Sequence, residues 1–139
     1  MSGCAKGQPV AATTAGCSLQ RRGVLLVVAG PSGVGKGAVI AGVCERRPEV
    51  HVSVSYTTRP PRPGEEHGRD YLFITREEFE SLRDKGELLE WAIVHGDQCY
   101  GTPKGPIDEA LQWGQDILLE IDYQGARSVR RLMGDQAAL

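Results

Sequence analysis

Residues 23–36 read Gly23-Val24-Leu25-Leu26-Val27-Val28-Ala29-Gly30-Pro31-Ser32-Gly33-Val34-Gly35-Lys36. The run up to Ala29 is continuously apolar and rich in β-branched residues, which predicts a strand buried on both faces, as in a parallel sheet. Glycines then punctuate the chain at 30, 33 and 35. Val39, Ile40, Val43 and Cys44 recur at helical spacing until Pro48 closes the helix. Strand, glycine loop and helix in this order form the first half of a βαβ unit.

The loop matches G-x-x-x-x-G-K in the strand-to-helix setting that gives this motif its meaning. Glycines let successive N–H groups point inward as a nest for phosphate oxygens. The helix start behind them adds its positive dipole end, and Lys36 supplies a point charge for the outer phosphates. A plain glycine turn joining strand to helix is the alternative. The position after the lysine, where a Ser or Thr hydroxyl would ligate Mg²⁺, holds Gly37, and Ala38 follows. A metal would then depend on phosphate oxygens, water and acids. Glu120 and Asp122, at the end of a second apolar run, are the candidates; helix capping is the competing role for this pair.

Working outward, residues 1–22 are rich in Ala, Thr, Ser, Gly and Gln without periodicity and predict a disordered tail. The tail is basic and free of acids, a composition shared by organelle transit peptides, and it lacks the apolar stretch of a secretory signal. Val50 to Ser55 alternates strictly and predicts a strand with one polar face. Arg59-Pro60-Pro61-Arg62-Pro63-Gly64 must be extended and turning. Tyr71 to Ile74 predicts a short strand. Thr75 with Glu78 is a capping box opening a helix that Gly86 ends. Leu88 to Val94 predicts another strand. Thr102-Pro103 reads as a helix N-cap and first turn, with Ile107, Ala110 and Leu111 inward and Gly114 as the stop. Ile117 to Asp122 is the second buried strand, and Ala126, Val129 and Leu132 begin a last helix. Trp91 and Trp113 read as core residues.

Composition bounds the function. The chain has 139 residues, 40% hydrophobic and 24% charged, ordinary values for one soluble domain. Its 16 basic and 18 acidic residues give a net charge of −2, which argues against a general nucleic-acid binder. No apolar run approaches the ~18 residues of a membrane span. No acid precedes Glu45, so an anion-facing N-terminal half is expected. The four cysteines, Cys4, Cys17, Cys44 and Cys99, fit no zinc spacing and read as free thiols in a reducing compartment.

The middle of the chain resembles a known family. Ser53-Val54-Ser55-Tyr56-Thr57-Thr58-Arg59-Pro60-Pro61-Arg62-Pro63-Gly64-Glu65 is similar to the S-V-S-x-T-T-R-x-P-R-x-G-E signature of guanylate kinases. Gly68-Arg69-Asp70-Tyr71, Gly86 to Ala92, Tyr100-Gly101-Thr102-Pro103 and Leu119 to Gly125 match further blocks in the family's order. One residue more than usual lies between Gly96 and Tyr100. The residue chemistry agrees. Arg59 and Arg62 on a proline-stiffened segment suit a phosphate, which guanidinium binds bidentately. Guanine offers two donors, N1–H and the N2 amine, and Glu90 with Ser55 offers acceptors that adenine would leave unpaired.

The resemblance implies an α/β, P-loop NTPase-like three-layer core with a parallel sheet and an inserted mixed α/β monophosphate-binding segment. It divides the chain into the tail 1–22, core 23–52, GMP-binding segment 53–105 and core 106–139. The family's lid and last core elements, including a further core strand, are expected to be missing. The implied activity is ATP-dependent phosphorylation of GMP with Mg²⁺ in the cytoplasm, with no nucleic-acid or membrane partner. Gly30, Pro31, Ser32, Gly33, Val34, Gly35, Lys36, Gly37 and Ala38 would hold ATP. Ser55, Arg59, Arg62, Tyr71, Glu90, Tyr100, Thr102 and Asp122 would hold GMP. Lys36 and Arg62 would be catalytic, and Glu120 and Asp122 would meet the metal through water. A non-catalytic guanylate-kinase-like binding module, or an inactive fragment, is the alternative.

Overall fold

A computed structural model describes residues 21–31 and 34–138. The core is a four-stranded parallel sheet of β1 (Leu25–Ala29), β2 (His51–Val52), β7 (Ile117–Ile121) and β8 (Ala137–Ala138), in the order β2-β7-β1-β8. Leu25 is opposite Ile117 and Ala29 opposite Ile121, so the two apolar runs read from the sequence lie side by side. They are buried on both faces. Leu25, Val27, Ile117 and Leu119 pack with Ile107, Ala110 and Leu111 of α3 (Lys104–Gln112) and with Ala126 and Val129 of α4 (Tyr123–Met133). On the other face Leu118, with Leu26 and Val28, meets Ile40 and Cys44 of α1 (Lys36–Arg46). Helix, sheet and helix make the three expected layers. The expectation that a further core strand is missing fails: β8 pairs parallel with β1, Ala137 opposite Leu25 and Ala138 opposite Leu26.

The second sheet is mixed, with β3 (Tyr56–Thr57), β4 (Leu72–Phe73), β5 (Leu88–Val94) and β6 (Gln98–Pro103) in the order β4-β3-β6-β5. Helix α2 (Arg76–Asp84) packs on it through the fully buried Phe79. A Cβ on Gly101 would come to 3.0 Å from the Phe79 ring, tighter than most side-chain contacts, so the two residues pack closely. The Thr75 capping box is complete: its hydroxyl accepts from Glu78 N–H while the Glu78 carboxylate accepts from Thr75 N–H.

Four local readings change. The strand expected over Val50 to Ser55 is divided. Ser53 N–H donates to Leu118 in the core sheet, whereas the Ser55 carbonyl accepts from Leu72 in the other. The alternation is real, since Val50, Val52 and Val54 are buried, but it spans the crossing between two sheets. Thr102 does not cap α3: the strand continues to Pro103, which takes the N-cap position, and the Thr102 hydroxyl points to Glu90. Leu132 is exposed, and Met133 packs on the core in its place. Trp91 and Trp113 are also half-exposed; Arg83 lies over the Trp91 ring at 5.5 Å.

Residues 1–20 fall outside the described residues. Arg21, assigned to the tail by sequence, pairs with Asp116 at 2.9 Å. Cys99 is a buried free thiol and Cys44 is disulfide-bonded, so the free-thiol expectation fails at Cys44. Among the described residues, no helix is long and apolar enough to cross a membrane.

Candidate functional site

The glycine loop leaves β1 at the buried Gly30 and re-enters regular structure at Lys36, the first residue of α1. Gly35 takes the N-cap position with φ +99°, a conformation that L side chains rarely adopt. The Lys36 ammonium curls back to donate to the Gly30 carbonyl. Gly35, Lys36, Gly37 and Ala38 thus bring the positive end of α1 to one wall of a cleft of about 710 Å³. Pro31 and Val34 are exposed and do not line it. Ser32 and Gly33 lie outside the described residues.

Arg59, Arg62, Glu65, Tyr71, Glu90 and Tyr100 line the same cleft, and so do Ser55, Glu120 and Asp122. Arg59 is 6% exposed. Its Nη1 and Nη2 donate to the two Glu65 oxygens at 2.7 and 2.9 Å, its Nη1 also to the Pro60 carbonyl at 2.9 Å, and its Nε to the Tyr100 hydroxyl at 3.1 Å. The guanidinium stacks 5.1 Å from the Tyr71 ring and 5.9 Å from Phe73. The Glu65 hydrogen bonds raise the pKa of Arg59 further. In return the Arg59 guanidinium, helped by the Arg62 N–H, lowers Glu65 to about 2. Arg62 is exposed, and its guanidinium makes no ion pair among the described residues. Burial pushes the Tyr71 phenol up, with the neighbouring Tyr100 adding to it.

Tyr100 lies on β6, opposite Ala92 of β5. The β5–β6 ladder is regular from Val94–Gln98 to Glu90–Thr102. The turn between the two strands holds two consecutive left-handed positions, His95 at φ 51° and Gly96 at φ 90°.

Glu90 stands on the neighbouring rung. Its Oε1 accepts from the Thr102 hydroxyl at 2.6 Å. Thr102 is completely buried behind it and does not line the cleft. The other oxygen, Oε2, would lie 2.9 Å from a Cβ on Gly125, so the carboxylate rests against the first turn of α4. Burial raises the Glu90 pKa, the Thr102 hydrogen bond opposes that shift, and Asp122 adds to it. Asp122 is the N-cap of α4, with Oδ1 accepting from Gly125 N–H at 2.7 Å. It therefore has the capping role weighed against metal binding, with Oδ2 outside that bond. Glu120 is exposed on the strand end.

No three acidic, histidine or cysteine side chains gather to hold a metal among the described residues. Two strand-end carboxylates beside a helix N-terminus fit a Mg²⁺ that keeps mostly phosphate and water oxygens as ligands. Sequence reasoning missed Glu65, Phe73 and Gly125 as parts of the site. Glu65 had a signal, an acid just after an Arg-Pro-Gly turn, and Gly125 had one as the last residue of the Leu119 to Gly125 block.

A parallel three-layer α/β core, in which Gly35 and Lys36 share a cleft with paired arginines, defines a protein of the P-loop NTPase-like fold class. The family model described as guanylate kinase matches residues 22–137, and the chain belongs to that family. It is 57% identical over 114 residues to a guanylate kinase of Nocardia farcinica, covering 81% of this chain and 59% of that protein. It is 50% identical over 118 residues to a guanylate kinase of Chelativorans sp., covering 85% and 54%. The crystal structure of guanylate kinase from Anaplasma phagocytophilum superposes with a TM-score of 0.71 at 37% identity, covering 86% of this chain and 59% of that one. The chain thus spans somewhat more than half the length of the relatives it matches.

Proposed function

We propose that the chain carries the nucleotide sites of a guanylate kinase that transfers the terminal phosphoryl group of ATP to GMP, giving ADP and GDP. The observation that carries this reading is the shared cleft: the Lys36 end of α1 and the Arg59/Arg62 segment line one space. In phosphoryl transfer a protein mainly positions the groups and neutralises charge. Gly30 to Ala38 cradle the ATP phosphates, and Lys36 leaves the Gly30 carbonyl to meet the outer ones. Arg62, exposed and with its guanidinium in no ion pair among the described residues, neutralises the transferring group. Arg59, Arg62, Tyr71 and Tyr100 hold the GMP phosphate.

Ser55 and Glu90 accept from the guanine N1–H and N2 amine, and adenine would leave these acceptors unpaired. Thr102 acts on guanine through Glu90. Glu120 and Asp122 would hold Mg²⁺ through water, where the ion would supply neutralisation of phosphate charge. The reading also divides the chain into the tail 1–22, core 23–52 and 106–139, and a GMP-binding segment 53–105 that closes on the core and keeps water from the ATP. The cytoplasm, which holds the nucleotide pools, is the compartment it assigns.

Calorimetric titration with GMP and AMP tests the site: GMP binding at least tenfold tighter than AMP is expected, and equal affinities overturn the guanine assignment. Release of ADP in a coupled assay with ATP, Mg²⁺ and GMP tests turnover. GMP binding without ADP release would make the chain a binding module.

A further inference from the structure

Building on the GMP-site reading above, we propose that Glu65 is the positioning residue of the phosphate grip. It fixes Arg59 as a rigid post and leaves the Arg62 guanidinium as the arm that closes on the GMP phosphate.

The donor inventory of Arg59 carries the argument. A guanidinium has five N–H donors. Nε is committed to Tyr100, Nη1 to the Pro60 carbonyl and Glu65 Oε1, and Nη2 to Glu65 Oε2. One N–H on Nη2 remains. The group lies against the neighbouring Tyr71 and Phe73 rings, and the residue is almost completely buried. A guanidinium held in this way contributes its charge and one donor, not a two-pronged fork.

Arg62 differs in every respect. Its side chain is exposed and carries no ion pair among the described residues. Its backbone, however, is tied to the same carboxylate: Arg62 N–H donates to Glu65 Oε1 at 2.7 Å, and Glu65 N–H donates to the Arg62 carbonyl at 3.0 Å. Glu65 therefore closes residues 59–65 into one ring, with prolines at 60, 61 and 63 limiting its other conformations. The free fork of Arg62 projects from a base that Glu65 holds in place.

Charge and position predict opposite outcomes. A carboxylate near the seat of a phosphate dianion repels it, so if charge were all that mattered, Glu65→Gln would tighten GMP binding. If Glu65 positions the grip, the same variant loosens binding, because Gln cannot accept from both Arg59 nitrogens and the Arg62 N–H at once.

The test is calorimetric GMP titration of the full chain as wild type, Glu65→Gln, Glu65→Asp, Arg59→Lys and the Glu65→Gln/Arg59→Lys double variant. We expect Glu65→Gln to weaken GMP binding by about tenfold. Glu65→Asp, which keeps the charge and loses the reach, should also weaken it. In the Arg59→Lys background Glu65→Gln should change affinity by less than it does in wild type, since one of the two arginines it positions is gone. Unchanged or tighter binding by Glu65→Gln overturns the inference. So does a lowered melting temperature with an unchanged Kd, the mark of a merely structural residue. If Glu65→Gln does not fold, Glu65→Asp is judged by the same criteria. Wild-type chain that binds no GMP overturns the site reading and this inference together; wild-type binding with an indifferent Glu65→Gln overturns the inference alone.

Discussion

The Thr102 hydroxyl donates to Glu90 Oε1 over 2.6 Å, from a rung of the β5–β6 ladder where the two residues face each other. Both side chains are buried, and the bond partly offsets the burial that raises the Glu90 pKa. Replacing Thr102 by Val should raise that pKa further. It should also destabilise the fold by about 1–3 kcal/mol, as expected when a buried acceptor loses its donor. Carboxyl NMR titration and urea unfolding read the two effects.

Because the Glu90 pKa is raised on folding, the native state holds this proton more tightly than the unfolded chain. Its contribution to stability is full below the unfolded value, about 4.3, and is lost as pH rises through the higher folded value. Glu90→Gln removes this dependence. Unfolding midpoints of wild type should therefore fall relative to Glu90→Gln as pH rises across that window.

Glu65 should behave in the opposite sense. Arg59 lowers its pKa to about 2. The native state is stabilised by this carboxylate above the unfolded value of about 4.3, and loses that contribution as pH falls toward the folded value. Thermal unfolding of wild type and Glu65→Gln should differ near neutral pH and converge in strong acid.

The two cleft tyrosines separate binding from architecture. The Tyr71 hydroxyl makes no hydrogen bond among the described residues, whereas the Tyr100 hydroxyl accepts from Arg59 Nε. Tyr71→Phe should weaken GMP binding by roughly fivefold to tenfold with no change in melting temperature. Tyr100→Phe should weaken it and also lower stability by about 0.5–1.5 kcal/mol. Calorimetry and thermal melts on the same samples check both.

Gly125 offers a test of sign. Within a helix, Gly→Ala ordinarily stabilises by about 1 kcal/mol. Here the new Cβ would lie 2.9 Å from Glu90 Oε2, so Gly125→Ala should destabilise, by about 1–3 kcal/mol. Adding Glu90→Asp, which withdraws the carboxylate, should recover part of the loss. Urea unfolding of the single and double variants decides.

Much of this molecule is legible in short stretches of chain. Gly30 to Lys36, the Thr75–Glu78 box, the glycine stops at 86 and 114 and the apolar runs of β1 and β7 all close their interactions within a few residues or along one strand. Backbone freedom, capping and periodicity are local properties, so residue type and spacing express them. The paired arginines and Glu90 were legible as chemistry for the same reason, since a fork and an acceptor are recognisable without knowing their neighbours.

Contacts between distant segments leave no such trace. Nothing in the spacing of Val50 to Ser55 says that Val52 belongs to one sheet and Tyr56 to another, because the same alternation serves both. Neither does composition separate the locked Arg59 from the free Arg62, or seat Glu90 against Gly125. Those outcomes depend on which surfaces meet once the strands have paired. Packing excludes water there and leaves a carboxylate only the partners that geometry supplies.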